Sequence, residues 1–138
     1  MKRSIVAGTL ALVSVATCVA LAPTASAAPQ ACVTQGLTTG GYEGVGDPIR
    51  YKSPTSTCND LNLTYTYNTN SRNYDYYAGR LRRSNGTWFT CSKGYVLAYD
   101  GYHSVNDAAY TLCTDVNDNT PFTVASYLDG SDNVQVTH

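Results

Sequence analysis

The stretch RLRRSNGTWFTC, which begins at Arg80, combines residue types that dominate recognition surfaces. Arg80, Arg82 and Trp88 can make charged, stacking and apolar contacts, and Arg, Trp and Tyr carry much of the energy at protein interfaces. Tyr74 and Tyr76 lie just before them on the same predicted strand. We therefore predict that these five residues form a binding surface, provided that the fold turns them to one face. The alternative is that the cluster only stabilises the sheet and protects its edge.

The length of the turn decides which side chains of this hairpin face outward. A three-residue Ser84-Asn85-Gly86 loop pairs Arg82 with Trp88 and Leu81 with Phe89, with the glycine in the left-handed conformation. A two-residue turn would shift the register by one residue and place Phe89 beside arginines, which is costly in a core. The three-residue loop is therefore predicted. It turns the five candidate residues outward and predicts a cation–π contact of Arg82 on Trp88.

Histidine chemistry is the second possibility. His103 lies in DGYHSVND near Asp100, Ser104 and Asp107. A hydrolytic triad needs a base that is held by an acid and touches a nucleophile, and its members usually come from distant segments. His138 is the terminal residue and is expected to be mobile. The sequence therefore predicts a protein that is not an enzyme, with a small secreted hydrolase that uses His103 as an alternative.

The segment DVNDNTPF offers several oxygen ligands at short spacing, namely Asp115, Asn117, Asp118 and Asn119. It resembles the calcium-bridging linker of cadherin repeats, although Phe122 comes one residue early and the other cadherin ligand motifs are missing. The resemblance implies that the four side chains bind Ca²⁺. The alternative is an ordinary hairpin loop, in which Asp, Asn and Pro are common. No other cofactor is predicted.

Residues 1–27 have the pattern of a secretory signal peptide: a positive start, an apolar run and an A-x-A motif that ends at Ala27. We therefore expect residues 28–138 to form one secreted, extracellular domain with no membrane span. A loose lipoprotein-type box before Cys18 is an alternative reading of the leader. The format is similar to that of small exported proteins of Gram-positive actinobacteria.

Four cysteines follow the expected cleavage site: Cys32, Cys58, Cys91 and Cys113. An even number of cysteines in a small exported chain indicates two disulfides. Three connectivities are possible, of which we expect Cys32–Cys58 and Cys91–Cys113. Each bridge would contribute about 3 kcal/mol through the entropy of the unfolded chain. The hairpin register also places Gly79 opposite Cys91.

Charge is distributed unevenly along the expected mature chain. Its seven Lys and Arg residues all lie between Arg50 and Lys93, whereas six Asp and no basic residue follow from Asp100 onward. Such a dipolar surface favours a charged macromolecular partner, although two sheets with solvated faces would produce it as well. The acidic excess and the expected export argue against nucleic acid as the partner.

Hydrophobic alternation without a helical period predicts an all-β fold. We expect a small disulfide-stabilised antiparallel β-sandwich or barrel of about seven or eight strands. Residues 60–68, 74–83 and 87–92 are expected to form a three-stranded meander. Further strands are expected at 32–37, 49–52, 95–99, 109–115, 122–128 and 133–137.

Strict alternation in DLNLTYTYN predicts that one face of the first meander strand is buried. Leu61, Leu63, Tyr65 and Tyr67 would share that face. The chain has twelve Tyr and two Phe. Because a buried tyrosine hydroxyl needs a hydrogen-bond partner, many of the rings are expected at the edge of the core or on the surface, where Tyr contacts proteins and sugars.

These features predict a secreted non-enzymatic binding domain, and specifically a proteinaceous inhibitor or ligand of another secreted macromolecule. The partner would be a protein or a polysaccharide outside the cell. The first alternative is a cell-surface, spore-surface or polysaccharide-associated structural protein, in which tyrosines stack on sugars. The small hydrolase is the second alternative.

Overall fold

The computed structural model describes residues 31–55 and 57–138. The predicted signal peptide, residues 1–27, lies outside these described residues. Within the same ranges, no helix is long and apolar enough to cross a membrane.

The described part of the chain forms ten β-strands, which confirms the predicted all-β class. The strands are β1 (Thr34–Thr38), β2 (Arg50–Tyr51), β3 (Leu61–Tyr67), β4 (Tyr74–Arg82), β5 (Trp88–Thr90), β6 (Val96–Tyr99), β7 (Gly101–Tyr102), β8 (Thr111–Cys113), β9 (Pro121–Ser126) and β10 (Asn133–Thr137). β7 lies in a segment predicted as a turn, and it is two residues long.

The strands form two five-stranded sheets in which every strand pair is antiparallel. The first sheet has the order β1-β10-β3-β7, and β8 also pairs with β3. The second sheet has the order β2-β9-β4-β5, and β6 also pairs with β4. The chain passes from the second sheet to the first between β6 and β7, and β7 begins at Gly101, whose φ of 128° favours glycine.

The core lies between the two sheets, because its members come from both. The first sheet contributes Leu37, Leu61, Leu63, Leu112, Cys113, Val134 and Val136, and the second contributes Tyr77, Ala98, Phe122 and Val124. Most of these residues alternate along their strands, as expected for a sandwich, whereas Leu112 and Cys113 are consecutive in β8. The predicted antiparallel sandwich is therefore the architecture of the described chain.

The predicted three-stranded meander is wrong. β3 pairs with β10, β7 and β8 in the first sheet, whereas β4 and β5 pair with each other in the second. The polar loop between β3 and β4 therefore crosses from one sheet to the other. Hydrophobic alternation shows that a strand has a buried face. It does not show which of the two sheets contains the strand, because both sheets bury one face in the same core.

The prediction that Leu61, Leu63, Tyr65 and Tyr67 share one face is also wrong. The register of β3 against β10 shifts between Leu63 and Tyr65, where Thr64 forms a β-bulge. A bulge adds one residue to the strand and reverses the faces that follow it. Leu61 and Leu63 are accordingly fully buried, whereas Tyr67 is 50% exposed.

The predicted hairpin register is confirmed. Arg82 pairs with Trp88 and Leu81 pairs with Phe89. The amide of Gly86 donates to the carbonyl of the residue three positions earlier, and its φ is 88°. The loop thus uses the left-handed glycine on which the prediction depended.

Both expected disulfides are present, Cys32–Cys58 and Cys91–Cys113. Cys91 directly follows β5 of the second sheet, and Cys113 ends β8 of the first. This bridge therefore links the two sheets covalently through the core. Cys32–Cys58 fastens the segment before β1 to the connection between β2 and β3.

Candidate functional site

Six tyrosines form a continuous group on the outer face of the second sheet. We name this group the tyrosine surface; it consists of Tyr42, Tyr74, Tyr76, Tyr95, Tyr99 and Tyr127. The centroids of contacting rings lie 5.1–6.4 Å apart. These separations are typical of favourable aromatic pairs, so the rings support one another.

Strand pairing brings most of the tyrosine surface together. Tyr74 pairs with Tyr99, and Tyr76 pairs with Leu97, across the β4–β6 ladder. The Tyr127 amide donates to the Tyr76 carbonyl at 2.9 Å and extends the β4–β9 ladder by one residue. Since directly paired residues point to the same face of a sheet, these side chains emerge side by side.

Of the remaining two tyrosines, Tyr95 directly precedes β6 and Tyr42 lies in the loop between β1 and β2. The amide of Glu43 donates to the Tyr95 hydroxyl at 2.7 Å, and the amide of Gly46 donates to the Thr123 hydroxyl at 2.9 Å. A Cβ on Gly46 would lie 2.3 Å from a carbonyl oxygen of β1, so only glycine fits this close approach. The loop is therefore held against the outer face of the sheet.

Tyr127 stands nearly perpendicular to three neighbouring rings and makes the surface concave. Its plane is inclined by 85° to Tyr42, by 79° to Tyr95 and by 71° to Tyr76. A cavity of about 350 Å³ lies here, lined by Tyr76, Tyr95, Tyr127 and Leu128. We name it the tyrosine pocket. Its rings form walls around a recess instead of one flat platform.

Comparisons of the chain with protein-family models, with curated proteins and with solved structures find no match.

Arg80, one of the five predicted binding residues, is not available to a partner. Its side chain points to the outer face, as the register predicts, but the residue is only 8% exposed. One guanidinium nitrogen, Nη1, donates to the Thr90 hydroxyl at 2.6 Å, and Nε is buried without a hydrogen-bond partner. Burial raises the pKa of the Tyr95 hydroxyl, and the nearby Arg80 charge opposes that rise. Arg80 thus lies beneath the tyrosine surface.

The other predicted residues divide between two regions. Tyr74 and Tyr76 belong to the tyrosine surface, whereas Arg82 is exposed and Trp88 is half-buried at the tip of the hairpin. The predicted cation–π contact of Arg82 on Trp88 is wrong. Arg82 Nε instead donates to the carbonyl at the hairpin turn, and the cation–π contact is made on the opposite face by Arg83 over Phe89, at 4.1 Å.

Sequence reasoning missed four members of the tyrosine surface. Tyr95 directly precedes β6 and Tyr99 ends it, an even spacing that places both side chains on one face. This spacing was a usable signal, but nothing local showed that β6 pairs with the early part of β4. Tyr127 follows a strand end, and Tyr42 lies in a glycine-rich loop. Their convergence depends on contacts between residues that are distant in the sequence.

His103 packs against a neighbouring ring and contacts a hydroxyl group. Its ring stacks on Tyr110 at 4.0 Å, and Nε2 lies 3.1 Å from the Thr66 hydroxyl. Asp100 and Asp107 accept hydrogen bonds from backbone amides of nearby turns. Burial lowers the pKa of His103, which disfavours the charged form. The contacts described for His103 thus join it to a hydroxyl and a ring, and they favour a packing role.

The DVNDN loop keeps its polar character in the fold. Asp115, Asn117 and Asp118 line a shallow cavity of about 330 Å³, and Asn119 has a φ of 60°. Lys52 places its ammonium 3.9 Å from the Asp118 carboxylate. A cationic group is therefore already close to one of the predicted ligands, which reduces the attraction for Ca²⁺. Calcium at this loop stays a prediction.

His138 is fully buried, so the prediction that it is mobile is wrong. Its Nδ1 accepts a 2.9 Å hydrogen bond from the Ser53 amide, and Nε2 lies 3.2 Å from the Gln35 side-chain oxygen. The ring packs edge-on against Phe122. Burial, together with the charge of Lys52, lowers the pKa of His138 to about 4. The chain end is thus part of the core and carries a neutral imidazole at neutral pH.

Proposed function

We propose that the protein is a secreted, non-enzymatic binding domain that acts as a proteinaceous inhibitor or ligand of another secreted protein. The observation that carries this proposal is the tyrosine pocket, an apolar recess of about 350 Å³ on the outer face of the second sheet. Tyrosine is enriched at protein interfaces because its ring is apolar while its hydroxyl can still form hydrogen bonds.

The shape of the pocket favours a protein over a polysaccharide. Stacking on a sugar ring needs an accessible flat aromatic face, whereas Tyr127 stands at 71–85° to its three neighbours. Perpendicular walls suit a protruding apolar side chain of a partner. Burying such a side chain would contribute about 1.5–3 kcal/mol to binding.

The support beneath the pocket is rigid. Tyr76 lies on β4, which has strands on both sides, and the Cys91–Cys113 bridge ties the sheets together. The Tyr95 hydroxyl is fixed by the Glu43 amide. A surface that is already ordered loses little conformational entropy on docking, which is how inhibitors reach high affinity.

The disulfides and the leader support a location outside the cell. Disulfides form and persist mainly in oxidising compartments, and the A-x-A pattern is typical of an exported precursor. A partner outside the cell is therefore the consistent choice.

The test is affinity capture followed by measured binding. The oxidised chain of residues 28–138 is immobilised, culture supernatant of the producing organism is passed over it, and each retained protein is identified and purified. We expect Tyr127→Ala to weaken the affinity for that protein by about 30-fold or more, as for an interface hot spot. Tyr102→Ala is the matched control, because Tyr102 is 82% exposed on the other sheet.

Two further arms separate the alternatives. If Arg82→Ala and Trp88→Ala abolish binding while Tyr127→Ala does not, the site lies at the hairpin tip and the tyrosine pocket is rejected. If the chain retains no protein but pellets with insoluble glycan, the structural, polysaccharide-associated role replaces the proposed one.

A further inference from the structure

Three carboxylates converge at the end of the sandwich that carries the β9–β10 loop. Asp75 lies on β4, and Asp129 and Asp132 lie in the loop. One carboxylate oxygen from each residue lies within 4.8 Å of those from the other two. Asp75 and Asp132 are fully buried. Such an arrangement brings like charges together away from water. Their repulsion and desolvation must be offset by hydrogen-bond donors, by protons or by a cation.

The hydrogen bonds to Asp75 satisfy only one of its two carboxylate oxygens. Its Oδ1 accepts hydrogen bonds from the amides of Tyr76, at 2.6 Å, and Leu128, at 3.0 Å. Its Oδ2 is buried and receives no hydrogen bond from an N–H group or hydroxyl of the described residues, while the side chain of Asp129 is a hydrogen-bonding neighbour of Asp75. A fully buried carboxylate oxygen without a donor is costly, and it calls for a proton or a cation.

The neighbouring groups do not neutralise the cluster. Asp132 accepts from the Thr69 amide, the Tyr77 hydroxyl and the Asn68 side chain, all of which are uncharged donors. The ion pair described at this end is that of Arg72, 3.7 Å from Asp129 Oδ2, and its side chain is 49% exposed.

A fourth carboxylate, Asp100, adds to the negative potential at Tyr77. Burial raises the pKa of Asp75 and of Asp132. A side-chain hydrogen bond with Asp129 and repulsion from it add to the rise for Asp75, and repulsion from Asp129 and Asp75 adds to the rise for Asp132. One partly exposed arginine therefore faces several acidic groups.

We propose that Asp75, Asp129 and Asp132 bind a calcium ion. The ligands are hard oxygens, which Ca²⁺ prefers, and two oxygens on opposite sides of the ion at about 2.4 Å from it would be about 4.8 Å apart. The three carboxylate oxygens lie within 4.8 Å of one another and are therefore close enough to share one ion. The Oδ2 of Asp75, which receives no N–H or O–H hydrogen bond from the described residues, would act as one ligand, and water would complete the shell.

The position of this site gives it a structural consequence. The loop that carries Asp129 begins with Tyr127 and Leu128, two walls of the tyrosine pocket. The Leu128 amide already bonds to Asp75. Calcium would therefore fix the loop against β4. The site itself does not depend on the proposed function, because its test needs no partner.

The test uses the oxidised chain after treatment with EDTA and dialysis. Titration with CaCl₂ is followed by calorimetry, and thermal unfolding is recorded with and without Ca²⁺. We expect one ion per chain and a rise in Tm of about 5–10 °C that EDTA reverses. Tb³⁺ serves as a second probe, because the Tyr77 ring next to Asp132 should sensitise its luminescence. Added Ca²⁺ should displace the Tb³⁺ and quench that signal.

Variants locate the ion. Asp75→Asn and Asp132→Asn are expected to weaken Ca²⁺ binding by tenfold or more, and Asp129→Asn serves if either fails to fold, because its side chain is 20% exposed. Asp118→Asn is the matched control in the DVNDN loop and should leave the affinity unchanged. If Ca²⁺ binding were lost only in Asp118→Asn, the calcium site would lie in the DVNDN loop. Absence of any binding by the folded wild type at millimolar Ca²⁺ would mean that the carboxyl groups share protons, and it would overturn the proposal.

Discussion

The Tyr77 hydroxyl donates a 3.0 Å hydrogen bond to Oδ2 of Asp132, and both residues are fully buried. Tyr77 belongs to the second sheet, and Asp132 directly precedes β10 of the first. Burial raises the pKa of the Tyr77 hydroxyl, so it remains protonated and can act as a donor. This bond thus joins the two sheets at the end that carries the carboxylate cluster.

Removal of this hydroxyl should destabilise the fold. Tyr77→Phe keeps the ring but leaves Asp132 without its phenol donor, so we expect the free energy of unfolding to fall by about 1–3 kcal/mol. Urea denaturation measures the change. Tyr76→Phe is the control, because the Tyr76 side chain is partly exposed and the same atom is removed. Equal stability of the two variants would show that the buried bond contributes nothing.

Asp132 should make stability depend on pH in an unusual direction. Burial raises its pKa from the ordinary value of 3.8 to about 6. The folded state therefore binds the proton more tightly, and this contribution is present below pH 3.8 and is lost as the pH rises through about 6. We expect the wild type to lose about 2–3 kcal/mol relative to Asp132→Asn between pH 4 and pH 7, measured by urea unfolding in EDTA. A difference that is constant over this range would contradict the assignment.

His138 should act in the opposite direction over the same range. Its pKa falls from 6.5 to about 4, so the folded state binds the proton more weakly than the unfolded chain. Its contribution is complete above pH 6.5 and is lost as the pH falls through about 4. Relative to His138→Asn, the wild type should lose about 3 kcal/mol between pH 7 and pH 4.

Separate variants are needed because Asp132 and His138 change stability in opposite directions with pH. In the wild type the two contributions partly cancel, so the free energy of unfolding can be nearly independent of pH. The difference in unfolding free energy between the wild type and each variant gives the pH dependence of each group. If both differences had the same sign, at least one of the two pKa shifts would be wrong.

The hairpin shows what the sequence can predict. Its register depends on the turn residues and on the alternation of Leu81, Phe89 and Cys91, all of which are local, and the structure confirms it. The burial of Arg80 could not be predicted in this way. The register gives the direction of the side chain, but the covering residues come from other strands and from the loop before β2.

The tyrosine pocket could not be predicted for the same physical reason. Its walls come from β4, from the residue before β6 and from the residues after β9, and Tyr42 joins from a loop more than thirty positions before β4. Composition indicated surface tyrosines, but strand order decides which of them meet. The wrong assignment of β3 to the meander has this origin too, since alternation does not specify the partner of a strand.

Gly79 provides the sharpest test of the predicted register. It lies opposite Cys91, and a Cβ at this position would be 2.3 Å from the Cys113 sulfur and 3.1 Å from the Leu112 Cβ. Because the disulfide and the core on this side are closely packed, Gly79→Ala must displace the bridge or the backbone. We expect the free energy of unfolding to fall by about 3 kcal/mol, as for severe overpacking.

Gly36→Ala on β1 is the matched control for Gly79→Ala. The nearest atom to the added methyl group in Gly36→Ala is 3.8 Å away, so its stability should change by less than about 0.5 kcal/mol. Urea unfolding compares the two variants, and thiol titration shows whether each retains both disulfides. Wild-type stability of Gly79→Ala with an intact Cys91–Cys113 bridge would mean that β4 and β5 tolerate a shift at this point. The packing of the bridge against β4 would then not explain why a glycine occupies position 79.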